Sequence, residues 1–264
     1  MTQASPPHPR PRTRLHVDSD LSAGAEVPLE AGRAHYLRSV LRLEPGARVL
    51  AFNGRDGEWL AEVAKLAKSG GALTALDQVR AQTAEDGPWL LFAPLKAGRN
   101  ESVVEKAVEL GASRLQPVFT KRSDVTRVNL ERLTANAVEA AEQCERLTVP
   151  EVADGLPLFK ALAGWDPART LFLAAESGAA GDAVTAVTAR RGRPAAWLIG
   201  PEGGFDSVEL DGLRHLPFVV PVGLGPRILR ADTAAFAALA LWQALAGDWT
   251  GAGGVSRPPF RTEA

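Results

Sequence analysis

Cysteine and histidine are scarce in this chain of 264 residues, and their scarcity excludes several kinds of chemistry. Cys144 is the single cysteine, so no intramolecular disulfide is possible and a cysteine metal site is not predicted. The four histidines, His8, His16, His35 and His215, are scattered, and no two stand at the spacing of metal ligands. We therefore expect a protein that binds no metal. Its single cysteine suits the reducing cytoplasm.

Long apolar runs and an excess of charge of one sign are also missing. The longest apolar stretch, residues 234–242, is too short to span a bilayer. Residues 1–12 are rich in proline and have no apolar run after their positive charges, so they do not form a secretory signal. The net charge of -1 gives no global indication of a nucleic-acid partner, although a local basic face is still compatible with it. We expect flexible tails at 1–13 and 251–264.

The pattern of residues 14–84 predicts a small β-barrel with one inserted helix. Apolar residues at helical spacing predict a helix over 30–43, which Pro45 and Gly46 end. Strands are predicted at 48–52 and 59–63, because turn-forming residues separate two apolar segments. The polar stretch 82–87 is the predicted domain boundary.

Residues 85–250 alternate between buried-type strands and amphipathic helices, which predicts a mostly parallel sheet covered on both faces. The predicted strands are 89–95, 114–120, 170–175, 195–199 and 218–222, and the main helices are 101–110, 130–147 and 233–246. The long helix 130–147 would pair Glu142 with Arg146 at i and i+4. Asp206 with Glu209 predicts a capping box, and Asp232 is predicted to cap the last helix.

Two of these strands run directly into glycine-rich loops. The first loop is Gly200-Pro201-Glu202-Gly203-Gly204. Since glycine has no Cβ, a ligand can lie directly on the backbone of Gly203 and Gly204. Glu202 would bind a ribose hydroxyl or a base amino group, or would cap its own loop. By itself the motif is equally typical of a tight turn between a strand and a helix.

The second loop, residues 223–230, combines an irregular backbone with apolar and basic side chains. Ile228 and Leu229 lie between Arg227 and Arg230. A pocket for a flat, partly apolar adenine beside an electron-rich substrate would use both kinds of side chain. Solvation or a salt bridge is the alternative role for the two arginines. Two such loops at one edge of a parallel sheet predict a site for a nucleotide-like cofactor.

Taken together, these motifs resemble those of the SPOUT methyltransferases of the RsmE family, which methylate N3 of one uridine in 16S ribosomal RNA. The resemblance covers nearly the whole chain apart from its two ends. Asp232 departs from the family, which usually has glutamate there. The segments that carry the resemblance are Gly200 to Phe205, Leu224 to Arg230 with Thr233 and Ala234, Leu95 and Lys96 with Glu105 to Ala112, Pro117 to Ser123, Glu139 to Gln143 with Arg146, and Arg14 to Val17.

The resemblance implies an α/β fold with two domains and a methyl-transfer activity. It implies a PUA-like N-terminal β-barrel at 14–84, which binds RNA, and a SPOUT domain at 85–250 with a deep trefoil knot around a parallel sheet. It further implies S-adenosylmethionine as the methyl donor, a homodimer, and 16S ribosomal RNA or the small ribosomal subunit as the partner. Another RNA, the ribose 2′-O, or a non-catalytic role in ribosome assembly are the alternatives.

The cofactor contacts follow from the resemblance position by position, and the other site residues follow from the chemistry of methyl transfer to uridine N3. Arg230 would stabilise the charge that develops on the uracil. The general base is open among Glu202, Glu142 and Asp232, and a side-chain base is not required near neutral pH. The implied cofactor contacts are Leu173, Ala175, Glu176, Leu198, Ile199, Gly200, Gly203, Leu224, Gly225, Arg227, Ile228, Leu229 and Thr233. The predicted RNA contacts are Arg14, Arg33, Arg38, Arg42, Lys121, Arg122, Gln143 and Arg146.

Overall fold

The computed structural model describes residues 11, 13–96, 98–175 and 180–250, which form two compact units. The first unit extends to Ala84 and includes Glu145–Thr148, and the second contains Glu85–Cys144 and Val149–Gly254. Of the predicted tails, only positions 11 and 13 lie within the described residues. In that part of the chain no helix is both long and apolar enough to cross a bilayer.

A mixed sheet of five strands forms the first unit, in the order β1-β3-β4-β5-β2, with only β1 and β3 parallel. The strands are β1 (Arg14–His16), β2 (Glu26–Leu29), β3 (Arg48–Phe52), β4 (Glu58–Ala67) and β5 (Gly70–Arg80). The helix predicted over 30–43 is confirmed as α1 (Ala31–His35), which continues into a π-helical turn that ends at Val40. Ala34 and Leu37 point from this helix into the apolar core.

A buried ion pair crosses the first unit. Arg14 Nε donates to Glu58 Oε1 at 2.6 Å, and the side chains are 4% and 0% exposed. Arg14 Nη2 also donates to the carbonyl oxygen of Arg146 at 2.8 Å. Burial lowers the pKa of Arg14, and the Glu58 carboxylate partly offsets this effect. The prediction that Arg14 contacts RNA phosphate is therefore wrong, because its guanidinium is already held inside the unit.

We expect Glu58→Ala to lower the free energy of unfolding by about 3–5 kcal/mol, because it leaves the Arg14 guanidinium buried without its carboxylate. Urea denaturation of the purified protein measures this loss. Asp77→Ala is the control, since Asp77 is exposed on β5 and its removal is expected to cost about 0.5 kcal/mol at most. Equal stabilities of the two variants would contradict a structural role for the pair.

The second unit is built on a sheet in which every strand pairing is parallel, as the sequence predicted. Its order is β11-β13-β10-β12-β6-β7-β8, and β9 lies beside β7. The strands are β6 (Trp89–Phe92), β7 (Arg114–Phe119), β8 (Glu151–Val152), β9 (Leu156–Pro157), β10 (Thr170–Ala174), β11 (Gly181–Asp182), β12 (Ala195–Ile199) and β13 (Val219–Gly223).

Helices cover both faces of this sheet, which explains why its central strands are apolar throughout. The helices are α2 (Arg99–Glu109), α3 (Leu130–Cys144), α4 (Leu158–Ala161), α5 (Ala183–Thr188), α6 (Ser207–Arg214) and α7 (Ala231–Leu245). On one face, Leu171 packs in a cluster with Leu158 of α4 and Leu213 of α6. On the other face, the ring of Phe172 contacts Trp242 of α7.

The helix ends confirm one of the predicted caps and correct two other expectations. Asp206 and Glu209 form the predicted capping box of α6. Asp232 does not cap α7, because that helix begins at Ala231 and Arg230 occupies the cap position. The helix predicted over 130–147 ends at Cys144, and Glu145 turns the backbone with a φ of 63°. Arg146 therefore lies beyond α3, so the predicted i and i+4 positions of Glu142 and Arg146 do not fall within one helix.

Candidate active site

The carboxyl ends of β10, β12 and β13 lie side by side, since β10 pairs with the other two strands. Leu173 stands opposite Leu198 on one side and Pro221 on the other. The backbone N–H of Ala175 donates to the carbonyl oxygen of Val222 at 3.0 Å. The fold therefore places the starts of the three predicted cofactor segments at one edge. Glu176, which was predicted to contact the cofactor, lies outside the described residues.

Three of the predicted cofactor residues have their side chains in the core of the sheet. Leu173 and Leu198 are fully buried and Ile199 nearly so. Their side chains pack against neighbouring strands and helices, so any contact that these residues make with a ligand at the edge is through backbone atoms. Their role is to place the loops that follow them.

Glycines at this edge border open space. A Cβ on Gly203 would meet only Arg122, at 3.7 Å and beyond. Gly204 and Gly225 have φ of 67° and 103°, and a Cβ on either would have no neighbour within 4 Å. Gly200 differs, because a Cβ there would lie 2.7 Å from the ring of Phe205. Gly200 is thus needed for packing, whereas the other three leave backbone accessible to a flat ligand.

The second loop exposes the apolar and basic side chains that the sequence singled out. Ile228 is 84% exposed, and Arg227 and Arg230 are exposed beside it. Within the described residues neither arginine forms an ion pair. Thr233 is exposed in the first turn of α7, where its backbone N–H donates to Asp232 Oδ1 at 2.8 Å. An exposed isoleucine between two unpaired arginines suits a mixed apolar and anionic ligand better than it suits bulk solvent.

Arg99 connects the glycine loop with α7, and sequence reasoning missed it. It begins α2, just after β6, and its Nη2 donates to Glu202 Oε1. Its Nη1 lies 3.7 Å from Asp232 Oδ2 and has no hydrogen-bond partner in the described part of the chain. The pKa of Arg99 is raised, and the largest cause is its hydrogen bond to Glu202. The available signal was an arginine that opens the helix after β6, but linking it to Glu202 requires knowing that β6 pairs with β12.

The loop after β7 carries further basic residues to the same edge. Arg122 Nη1 donates to the carbonyl oxygen of Gly203 at 2.8 Å, so this predicted RNA residue lies directly beside the glycine loop. Lys121 Nζ lies 3.0 Å from Asp206 Oδ1, and this hydrogen bond is the main cause that lowers the pKa of Asp206. The residues lining the small open cleft beside the loop are Pro94, Leu95, Lys96, Arg122, Asp124, Pro201, Glu202 and Gly203.

Of the remaining predicted RNA residues, Arg33, Arg38, Arg42 and Arg146 belong to the first unit and Gln143 belongs to the second. Arg33 and Arg38 are partly exposed around the helix of the first unit, and Arg42 follows it with a φ of 56°. Gln143 is exposed near the end of α3. Arg146 is partly buried, with Nη2 3.4 Å from Thr148 Oγ1. No group of three potential metal ligands is found in the described residues.

Comparison with known proteins assigns both units to a class. Residues 87–243 match the family described as "RNA methyltransferase domain", and residues 29–73 match the "RNA methyltransferase PUA domain". The unit with the parallel sheet and the open glycine loops is thus the RNA methyltransferase domain. The unit with the mixed sheet contains the PUA domain. The two-domain α/β fold expected from the sequence is confirmed, while the knot stays a prediction.

Individual relatives define the family more narrowly. A ribosomal RNA small subunit methyltransferase E from Synechocystis is 34% identical over 88% of this chain and 77% of its own length. Its counterpart from Rickettsia conorii is 29% identical over 86% of this chain and 93% of its own. The solved methyltransferase E of Neisseria gonorrhoeae, bound to S-adenosyl methionine, superposes with a TM-score of 0.81 at 27% identity, over 90% of this chain and 99% of that one. The chain belongs to the family of ribosomal RNA small subunit methyltransferase E.

Proposed function

We propose that this protein transfers the methyl group of S-adenosylmethionine to N3 of one uridine in the RNA of the small ribosomal subunit. The observation that carries the proposal is the open edge of the second unit, where three glycines border free space beside Ile228 and two exposed arginines. The Neisseria relative with the same fold has been solved with S-adenosyl methionine bound. The residues at the edge fit such a molecule, which has an adenine, a ribose and charged groups.

The backbone of the two loops would hold the cofactor. Bound S-adenosylmethionine supplies a methyl group that its sulfonium has already activated. Gly225 offers its backbone N–H and C=O groups, and Gly203 offers its N–H, since its C=O already accepts from Arg122. Ile228 with Leu229 offers an apolar surface for adenine. Arg227 is exposed beside these two residues, and its guanidinium would contact the polar groups of the cofactor.

Arg230 is the residue that we assign to the substrate. Uridine N3 carries a proton and becomes nucleophilic only when that proton leaves, which spreads negative charge onto O2 and O4. A fixed cation placed there stabilises this charge as it develops. Arg230 stands at the start of α7, exposed and without an ion pair among the described residues, so its guanidinium is available for this role.

Glu202 is assigned to positioning instead of proton transfer. It was one of three candidate bases, but Arg99 donates a hydrogen bond to it and also lies near Asp232, a second candidate. Glu202 Oε1 is already engaged by Arg99, so we assign this carboxylate to holding the loop. Arg99 thus keeps the glycine loop and the start of α7 together through two acids. The N3 proton is left to water in this scheme.

We expect Glu202→Gln to retain turnover within about tenfold of the wild type, because the amide oxygen still accepts a hydrogen bond from Arg99, whereas loss of a true general base costs about 10²–10⁴. The measurement is kcat against pH with saturating cofactor and RNA. An unchanged pH profile supports positioning. A loss of more than a hundredfold, with a flattened profile, would make Glu202 the base after all. Glu202→Ala, which removes the acceptor, is expected to be the more damaging variant.

Basic residues around the site would hold the RNA. Lys121 and Arg122 border the glycine loop, and phosphate contacts from such residues position RNA without reading its sequence. The target base must leave its stack to reach the methyl group, which favours a loop or an unpaired segment. Arg33, Arg38 and Arg42 would add phosphate contacts from the PUA domain. Gln143 and Arg146 complete the proposed set.

The assembly and the location are proposed on the same grounds. A homodimer is implied by the family resemblance, and the exposure of Trp249 supports it, since large apolar side chains on a surface often mark an interface. A deep knot around the sheet and a cytoplasmic location are inferred in the same way. Light scattering of the purified protein tests the dimer directly.

Mass spectrometry of ribosomal RNA from a strain without the gene tests the proposed function. We expect the loss of one 3-methyluridine from the small-subunit RNA and its return when the gene is restored. Loss of a 2′-O-methyl mark, or of a mark in another RNA, would assign a different acceptor. An unchanged RNA together with normal binding of S-adenosylmethionine would favour a non-catalytic assembly factor.

A further inference from the structure

We infer that the amino-terminal edge of the sheet in the second unit, opposite the candidate active site, is a second contact surface for the backbone of the substrate RNA. This inference rests on the proposed function, because it takes the RNA to be large enough to reach both edges. The surface consists of Arg191, Arg193 and Arg214 around a base of Trp89, Trp165 and Arg169. We refer to these six residues as the amino-edge surface.

Topology brings these residues to one place. The strands β13, β10 and β12 are neighbours, and each is entered through a basic segment. Arg214 precedes β13, Arg169 immediately precedes β10, and the run from Arg190 to Arg193 precedes β12. The backbone N–H of Thr170 donates to the carbonyl oxygen of Pro194 at 3.0 Å, which ties two of these entrances together. Three adjacent strand ends thus present arginine at the same edge.

An aromatic layer supports the arginines. The guanidinium of Arg169 lies 3.8 Å from the ring centre of Trp89, and its Nη1 donates to the carbonyl oxygen of Ala195 at 3.1 Å. Trp165 contacts Trp89 edge to face and stacks on Phe218, with both pairs of ring centres 5.7 Å apart. Arg169 Nε is buried and has no hydrogen-bond partner in the described residues. These contacts hold Arg169 in place, so the edge has a rigid base at the same strand entrances that carry the outer arginines.

The charge of this edge differs from that of the whole chain. The segments 166–169, 190–194 and 211–218, which lead into β10, β12 and β13, contain five arginines and two aspartates, and the segment 85–88 before Trp89 adds Glu85 and Asp86, whereas the chain as a whole carries a net charge of -1. Arg191, Arg193 and Arg214 are exposed, and none of the three forms an ion pair within the described part of the chain. Exposed arginines without acidic partners bind phosphates well, because few protein contacts have to be given up. A nucleic-acid backbone is the partner that this chemistry fits.

This surface is separate from the candidate active site. The central strands contain five residues each, which corresponds to roughly 17 Å from one edge of the sheet to the other. A short RNA around the target uridine would contact the glycine loops alone, whereas a long ribosomal RNA would reach both edges. The amino-edge surface therefore predicts a difference between short and long substrates.

The test is equilibrium binding of the full chain to two RNAs, a small-subunit RNA transcript and a short fragment that contains the target uridine. We expect the triple variant Arg191→Ala, Arg193→Ala, Arg214→Ala to bind the transcript on the order of tenfold more weakly at low salt. The slope of log K against log salt should fall by about 2 to 3, since three phosphate contacts are lost. Affinity for the fragment and for S-adenosylmethionine should not change.

The triple lysine variant at the same positions is the matched control, because it keeps the charge and should restore binding to the transcript. Wild-type affinity and salt dependence of the alanine variant would overturn the inference, as would an equal loss for both RNAs. Binding is measured without turnover, so the outcome does not depend on catalysis. A wild-type protein that binds both RNAs but methylates neither would refute the proposed function and leave the surface in place.

Discussion

Replacing Arg230 by alanine is expected to lower kcat by about 10²–10³, which is the usual cost of removing one preorganised charge from a transition state. The affinity for S-adenosylmethionine should stay within about threefold, because the guanidinium faces the uracil in our scheme. The backbone of Arg230 starts α7 and is unaffected by the side chain, as its carbonyl oxygen still accepts from the N–H of Ala234. Single-turnover kinetics with saturating RNA and cofactor measures the chemical step.

Two further variants separate chemistry from folding and from general charge. Arg132→Ala removes one positive charge from α3 at a surface ion pair with Glu101, so its turnover should match the wild type. Arg230→Lys keeps a charge but lacks the planar fork, and we expect it to recover only part of the rate. An Arg230→Ala enzyme with normal turnover would remove this residue from the mechanism.

The parallel sheet was predictable from the sequence because its strands follow simple local rules. The strand 195–199 was predicted with its exact bounds, since five apolar residues stand between Pro194 and Gly200. The capping box at Asp206 and Glu209 depends on residues three apart, and it was also predicted correctly. The glycine loops could be found for the same reason, because each follows directly on a continuous apolar run that is typical of a buried strand.

Residues whose role depends on distant partners were not predictable in this way. Arg14 was assigned to RNA, yet its partner Glu58 stands 44 positions along the chain and belongs to another strand. Arg99 was overlooked because Glu202 is 103 positions away and is reached only through the pairing of β6 with β12. Both contacts are products of the sheet order, which a single sequence does not specify. The predicted knot would belong to the same kind of property, since chains rarely thread loops.

A Cβ at Gly203 is the most direct probe of the cofactor site, and Gly203→Val is expected to weaken S-adenosylmethionine binding by at least about 100-fold, or near 2.8 kcal/mol. The φ of Gly203 lies outside the left-handed region, and its nearest neighbour is Arg122 at 3.7 Å, so the fold itself has room for a side chain. The branched methyl groups would instead occupy the space above the loop that the ligand needs. Isothermal titration calorimetry measures the affinity.

The matched control is Gly32→Val, because Gly32 also has an ordinary φ and open surroundings but lies in the first unit. Its cofactor affinity should equal that of the wild type. The melting temperature of Gly203→Val should stay close to the wild-type value, which distinguishes a blocked pocket from a damaged loop. Wild-type affinity in this variant would refute the pocket. Intermediate loss in Gly203→Ala and full loss in Gly203→Val would show that the free space above Gly203, and not the flexibility of glycine, is what the cofactor requires.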